Sequence, residues 1–345
     1  MRGSDQDVSP LAKPLDRQDW ALLWLLSLLW GGAFFFAGVA VKELPPLTCV
    51  LVRVALAAMT LLPIFFALGF TLPRSLAGSL PFFGMAVLNN VLPFAFIFAG
   101  QTFITVGLSS IINAMTPLMT LIVMTAFREE RFSVERGVGV ALGVTGVAIL
   151  HGFDGAIDGA QTLGMGLCLA GALSYGFAAL WGRRYLAGVP PLMSATCQLI
   201  CSTLIMLPVV VLNDRPWTLK APSDATLLAL LALAVLGTAL AYIVFFRILV
   251  RAGASNVMLV TLLIPVTAML LGNLCLGEPL RRTEIAGAIV IAIGLLFIDG
   301  RAVRGLTGRG AGAVQSAGGE DAPAVPRGDE LTGGQPGADA RLTKH

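Results

Sequence analysis

One arginine and four asparagines stand within stretches that are otherwise almost wholly apolar: Arg53, Asn89, Asn90, Asn113 and Asn273. A guanidinium at such a depth is either a fixed positive charge for a carboxylate or a side chain that snorkels to the membrane surface or pairs with Glu43. Amides cannot be satisfied by lipid, so they must turn toward another helix or water. At helical spacing the polar and aromatic residues gather on faces. Asn90, Phe94, Ile97 and Gln101 form one; Thr238, Tyr242, Phe245 and Leu249 form another; Ser109, Asn113 and Thr116 form a third. Trp30 and Phe34 lie on an earlier stretch, Tyr175 and Thr261 on later ones. If these faces converge, they line a cavity for an uncharged or zwitterionic small molecule with apolar bulk. The same amides could instead serve only to bond helix to helix.

What is missing at depth is equally informative. Every Asp and Glu falls in a connection, at the end of an apolar stretch or in a tail, and the two histidines are His151 and His345. No Ser/His pair, aspartate pair or H-E-x-x-H zinc site can be assembled there, so an enzyme is not expected. Coupling through a buried acid that takes and releases a proton is also disfavoured. Cys49, Cys168, Cys197, Cys201 and Cys275 sit in apolar stretches with nothing nearby to complete a metal site. No metal or other cofactor is expected, and without a basic patch interleaved with aromatics, no nucleic acid.

The elements that carry these residues follow from composition. Of 345 residues, 56% are hydrophobic and 12% charged, and the mean hydropathy is +0.84. Soluble domains hold about 45–50% apolar and about 25% charged residues, so the lipid bilayer must be a partner of this surface. Apolar stretches near 20–41, 46–69, 78–100, 104–126, 134–151, 163–185, 191–212, 225–249, 255–276 and 283–299 predict ten crossings. Residues 1–19 read as a cytoplasmic N-terminal segment and 303–345, rich in Gly, Ala and Pro, as a disordered cytoplasmic tail. With the N-terminus inside, basic residues concentrate on the cytoplasmic side, as the positive-inside rule requires. Both termini are therefore expected in the cytoplasm.

The first five stretches align onto the last five. Leu44-Pro45-Pro46-Leu47 returns as Val189-Pro190-Pro191-Leu192, a shift of 145; Pro117, Glu130, Gly139 and Gly146 return as Pro265, Glu278, Gly287 and Gly294, a shift of 148. The units are 20–153 and 162–300, with a junction near 154–161. Because five is odd, the second copy must insert upside down, giving an all-α integral membrane protein of two inverted five-helix repeats. Such repeats mark many secondary transporters, with the substrate at their interface. Pro117 and Pro265 each free a backbone carbonyl and could act as hinges or as simple kinks. The Gly-rich faces of the fifth and tenth stretches could serve internal packing or a homodimer.

Trp30-Gly31-Gly32, Pro45-Pro46 followed by Arg53, Thr116-Pro117 followed by Glu130, and Ile264-Pro265 followed by Leu276-Gly277-Glu278-Pro279-Leu280 stand in order along the two halves. In these residues the sequence resembles the EamA family of the drug/metabolite transporter superfamily, over about 20–300. The resemblance implies a ten-helix carrier whose cavity is lined by spans 1, 3, 4, 6, 8 and 9. Known activities of that family include export of amino acids and related metabolites, and sometimes of toxic compounds, so the resemblance implies a carrier without picking its substrate. Arg128-Glu129-Glu130 departs from the small residue and Gly that the family often has before the Glu. The expectation is thus a carrier of small organic metabolites, with Trp30, Phe34, Asn90, Phe94, Asn113, Thr116, Tyr175, Thr238, Tyr242 and Thr261 along the pathway and Arg53 as an anion contact. The competing expectation, a non-transporting scaffold or receptor subunit, predicts a tightly packed interior.

Overall fold

The computed structural model describes residues 15–130, 133–151, 159–257 and 259–298. The expected C-terminal tail, most of the N-terminal segment and most of the repeat junction lie outside them. Among the described residues there are helices and no strands. In chain order they are α1 (Arg17–Ala40), α2 (Pro46–Ala67), α3 (Leu76–Gly100), α4 (Val106–Ala126), α5 (Val134–His151), α6 (Gly159–Tyr185), α7 (Pro191–Asn213), α8 (Asp224–Ala252), α9 (Val260–Leu276) and α10 (Arg282–Ile298). A single turn, Ala254–Val257, precedes α9. Seven of these, α1 to α4 and α6 to α8, are long and apolar enough to cross a membrane by that measure alone. Arg136–His151 and Val260–Leu276 are apolar but shorter, which is why length alone returns fewer spans than hydropathy does.

Local chemistry fixes the helix starts. Asp16 and Asp19 form a reciprocal capping box at α1, each carboxylate accepting the other's backbone N–H. Thr105 and Ser223 cap α4 and α8 through their hydroxyls. The repeated Pro-Pro pairs have a plain purpose: Pro46 and Pro191 open α2 and α7, where an N–H would lack a partner in any case.

Packing repeats with the sequence. α1 packs on α8 and α9, and α6 packs on α3 and α4; α2 pairs with α7, and α5 with α10. Exchanging each helix for its mate five places on leaves this pattern unchanged. Gly31 and Gly176, 145 apart, make the parallel crossings. A Cβ on Gly31 would collide with the Thr267 hydroxyl of α9, and one on Gly176 would lie 2.9 Å from the Met119 carbonyl of α4. α5 and α10 approach backbone to backbone: a Cβ on Gly294 would lie 2.7 Å from the Gly139 carbonyl, and one on Gly287 2.9 Å from that of Gly146. Large apolar side chains such as Leu28, Leu204 and Leu274 are exposed, while Ser27, Asn90 and Ser202 are buried, the distribution of a chain whose solvent is lipid.

α3 and α8 are each interrupted by a π-helical turn, Val87–Val91 and Val235–Leu240, whose first residues are 148 apart. Such wide turns leave carbonyls to be serviced from outside the ladder. The Ser174 hydroxyl of α6 donates to the Leu88 carbonyl at 2.7 Å, and the Thr238 hydroxyl to the Leu233 carbonyl at 2.9 Å.

Because the α5–α10 contact leaves no room for a side chain, Gly294→Val should lower stability by about 1–3 kcal/mol, the usual cost of overpacking. The readout is thermal unfolding in detergent, with Ile293→Val on the exposed face of the same helix leaving the midpoint unchanged.

Candidate functional site

A cavity of about 890 Å³ lies between the two sets of helices. α1 contributes Trp30, Ala33, Phe34 and Ala37, and α6 contributes Tyr175, Ala179 and Gly182. Trp30 and Tyr175 are repeat-mates, as are Phe34 and Ala179. α4 brings Asn113, Thr116 and Pro117, and α9 brings Thr261, the mate of Asn113. α8 supplies Gly237, Thr238, Tyr242, Phe245 and Phe246.

The lining of α3 shows what the π-turn does. Met85 before the turn, Asn89 within it, and Phe94, Ile97 and Phe98 after it all line the cavity. The step from Asn89 to Phe94 is five residues, one more than an α-helical turn allows. Regular spacing puts Asn90 on the Phe94 face; the extra residue in the turn puts Asn89 there instead. Asn90 is fully buried away from the cavity, with its amide donating to the Ser202 hydroxyl of α7 at 3.0 Å. Gln101, on the same predicted face, also lies off the cavity, donating to the Phe34 carbonyl at 3.1 Å. Nothing in a single sequence marks a π-turn, although Pro93, which leaves the Asn89 carbonyl without its helical donor, is a local warning.

Arg53 enters from α2. Its Nε donates to the Thr238 hydroxyl at 3.0 Å, and its guanidinium lies 3.7 Å from the Phe94 ring centroid and 5.7 Å from that of Phe98. The side chain is thus locked by one hydrogen bond and two aromatic faces. Among the described residues no carboxylate reaches it. Glu43, the partner considered from sequence, is occupied elsewhere: its two oxygens accept the backbone N–H and the hydroxyl of Ser223 at 2.7 Å. Those donors hold the Glu43 carboxyl below its ordinary range. At the repeat-related position on α7, Gln198 also lines the cavity and accepts Asn89 Nδ2 at 3.0 Å. Asn89 further approaches the Tyr242 hydroxyl at 3.5 Å. One wall is therefore a polar cluster around a single cation.

A second polar feature is Asn113, whose side-chain oxygen is buried and unpartnered. Nearby, α4 is broken between Asn113 and Thr116. Pro117 cannot donate to the Asn113 carbonyl, and the Thr116 hydroxyl takes that carbonyl at 2.7 Å instead. Pro265, the mate of Pro117, stays within a continuous α9 and faces a smaller apolar groove of about 300 Å³. Sequence reasoning paired the two prolines; the fold gives them different surroundings.

One end of the cavity reaches Glu130 and Arg136, joined at 2.9 Å, and Leu186, Val189, Leu249 and Leu259. Among the described residues no three His, Cys, Asp or Glu side chains converge as a metal site.

A bundle of membrane-type helices around a cavity with apolar walls and one polar pole has the form of a small-molecule transporter. The chain belongs to the EamA-like transporter family, whose model matches residues 19–151 and again 162–299. It is 24% identical over 285 residues to a transporter of Archaeoglobus fulgidus, covering 81% of this chain and 98% of that one. It is 28% identical over 289 residues to the inner membrane transporter YedA of Escherichia coli, covering 80% and 89%. A Salmonella typhimurium protein named "Probable amino-acid metabolite efflux pump" is 26% identical over 291 residues, covering 81% and 94%. A solved crystal structure aligns over 84% of this chain and 99% of its own at 16% identity, with a TM-score of 0.59, a likeness of fold alone.

The displacement of Asn90 by Asn89 makes a testable distinction. Asn90→Leu should lower the unfolding midpoint through the lost Ser202 bond, by about 1–2 kcal/mol, while flux per folded molecule in proteoliposomes holds. Asn89→Leu should reduce that flux.

Proposed function

We propose that this protein is a secondary carrier of the inner membrane that moves small organic metabolites, amino acids or related compounds first among them, outward by alternating access. In this reading ten crossings form two inverted repeats, 20–153 and 162–300, with both termini in the cytoplasm. The observation that carries it is Arg53: a buried guanidinium, held in place within a cavity, with no acid beside it.

A lone cation in a low-dielectric interior is costly unless an anion joins it. The residual N–H groups of Arg53 suit the two oxygens of a carboxylate, and its planar fork favours that geometry. Asn113 also lines the cavity, and a turn of its side chain would bring its buried, unpartnered oxygen to an N–H of the same molecule. A carboxylate and an amino group in one solute meet both needs. The rings of Trp30, Phe34, Tyr175, Tyr242 and Phe245 then contact its apolar part. Thr116, Thr238 and Thr261 complete the pathway, with Phe94 as the floor under Arg53. The name of the Salmonella relative is in keeping with that chemistry. An interior cavity also argues against a scaffold, for which close packing would suffice.

The absence of acids along the described cavity wall, apart from Glu130 at its mouth, supports exchange or facilitated movement over coupling to a proton on a buried carboxyl. The direct test is uptake and counterflow in proteoliposomes with a metabolite panel, with and without a pH gradient. Arg53→Gln should raise the half-saturation concentration for a carboxylate solute at least about tenfold, the factor corresponding to 1.4 kcal/mol. An unchanged value would remove Arg53 from the site, and strict dependence on the pH gradient would overturn the mode of coupling.

A further inference from the structure

The two halves match in sequence and differ in posture. The first half of α4 touches α1, with Val106 seated against Gly38, and a Cβ on Gly107 would lie 3.0 Å from Met269 of α9. Among the described residues the repeat-related pair, α6 and the start of α9, makes no comparable contact. There Gly182, Val257 and Leu259 line the cavity mouth instead. One end is shut and the other open.

At the shut end the Glu278 carboxylate accepts the backbone N–H of Val106, the first residue of α4, with both oxygens at 3.0 Å. That N–H has no partner within its own helix. Its position at the helix start favours a negative charge. Asn273 donates to the Glu278 carbonyl at 2.9 Å and steadies the loop. Gly272 leaves the space: a Cβ there would lie 2.5 Å from Glu278 Oε2. At the open end the repeat-mate, Glu130, takes Arg136 Nη1 instead.

We infer that Glu278 and Glu130 are alternating latches, each closing one end of the cavity by holding the start of a helix from the opposite half. This rests on the alternating-access reading above. In the state shown, Glu278 fastens α4 to the end of α9 and so presses Val106 against α1. In the opposite state Glu278 releases Val106. Glu130 leaves Arg136 for the backbone at Ala254, the mate of Val106, and draws the start of α9 over α6. The shut end has Gly38, Gly107 and Gly272; their mates are Arg183, Ser255 and Met124. The opposite seal therefore packs less closely, and the state closed at Glu278 is the resting one.

The test reads conformation without substrate. In a background with the five native cysteines replaced, Ala37→Cys reports access from the Glu278 end and Leu259→Cys access from the Glu130 end. Each is labelled by a membrane-impermeant maleimide, in right-side-out and inside-out vesicles. Glu278→Gln should raise labelling at position 37 and lower it at 259, the ratio moving by about tenfold, as expected for one lost bond to a charged group. Gly272→Ala, which crowds the carboxylate and keeps it, should move the ratio the same way. Glu130→Gln should move it oppositely. Unchanged rates in all three, or rates at both positions rising together, would overturn the latch. A reciprocal shift in a protein that moves no solute on the metabolite panel would sustain the latch and remove the transport reading instead.

Discussion

In hydrocarbon a backbone carbonyl or a side-chain amide can be satisfied only by the protein itself. Most of what distinguishes this bundle from a stack of greasy helices follows from that constraint. Each π-turn frees carbonyls, and each is met by a hydroxyl: Ser174 at Leu88, Thr238 at Leu233. Pro117 withdraws a donor from the Asn113 carbonyl, and Thr116 replaces it. Trp181 Nε1 donates to the Pro81 carbonyl at 2.9 Å, tying α6 to α3. The residues that look polar and costly in the sequence are thus largely the ones that allow helices here to depart from regularity. Departures concentrate around the cavity, where a regular helix could not present two successive faces to one space.

The same accounting separates supporting residues from those left over. Asn90, Ser202, Ser27 and Thr267 find partners in neighbouring helices and hold the assembly together, whereas Gln101 is met only at its Nε2, its Oε1 being buried without a partner. Arg53 and Asn113 remain with capacity unspent. Of these, Arg53 and Asn113 both stand on the cavity wall, which is what the proposed solute contact rests on.

How much of this could be read in advance varied with the kind of signal. An all-helical membrane protein was legible because hydropathy is a property of composition and reports the solvent directly. The duplicated contacts were legible too, since Gly31 and Gly176 occupy matching places and make matching crossings. Membership in the EamA-like family follows from the same ordered motifs. The faces were legible only where the helix stayed regular. Trp30, Phe34, Phe94, Asn113, Thr116, Tyr175, Thr238, Tyr242 and Thr261 all reach the cavity wall. Asn90 does not, because one residue inserted at Val87–Val91 turns everything before it by about a hundred degrees. Pro265 likewise could not be separated from Pro117 by sequence, since their difference comes from the break in α4 alone. The fate of Glu43 depended on Ser223, 180 positions away, and no local pattern announces that pairing.

The distribution of charge gives the architecture a direction. Acids are kept to helix ends, where Glu129 faces Arg183 and Arg184, Asp19 faces Arg251, and Asp214 receives the N–H and hydroxyl of Thr48. Among the described residues the interior between those ends holds one cation, Arg53, and neutral oxygens. Under the proposed carriage of a carboxylate, an anionic group entering from the open end moves from a rim of paired charges toward an unpaired positive one, with apolar walls raising the strength of that attraction. Release, on the same proposal, requires the opposite: water reaching Arg53 from the other end and replacing the carboxylate. A site of this kind cannot be both dry enough to bind and permanently open to both sides. The separation of the lone guanidinium from the acids that secure the helix ends is thus what the two proposed closures would serve.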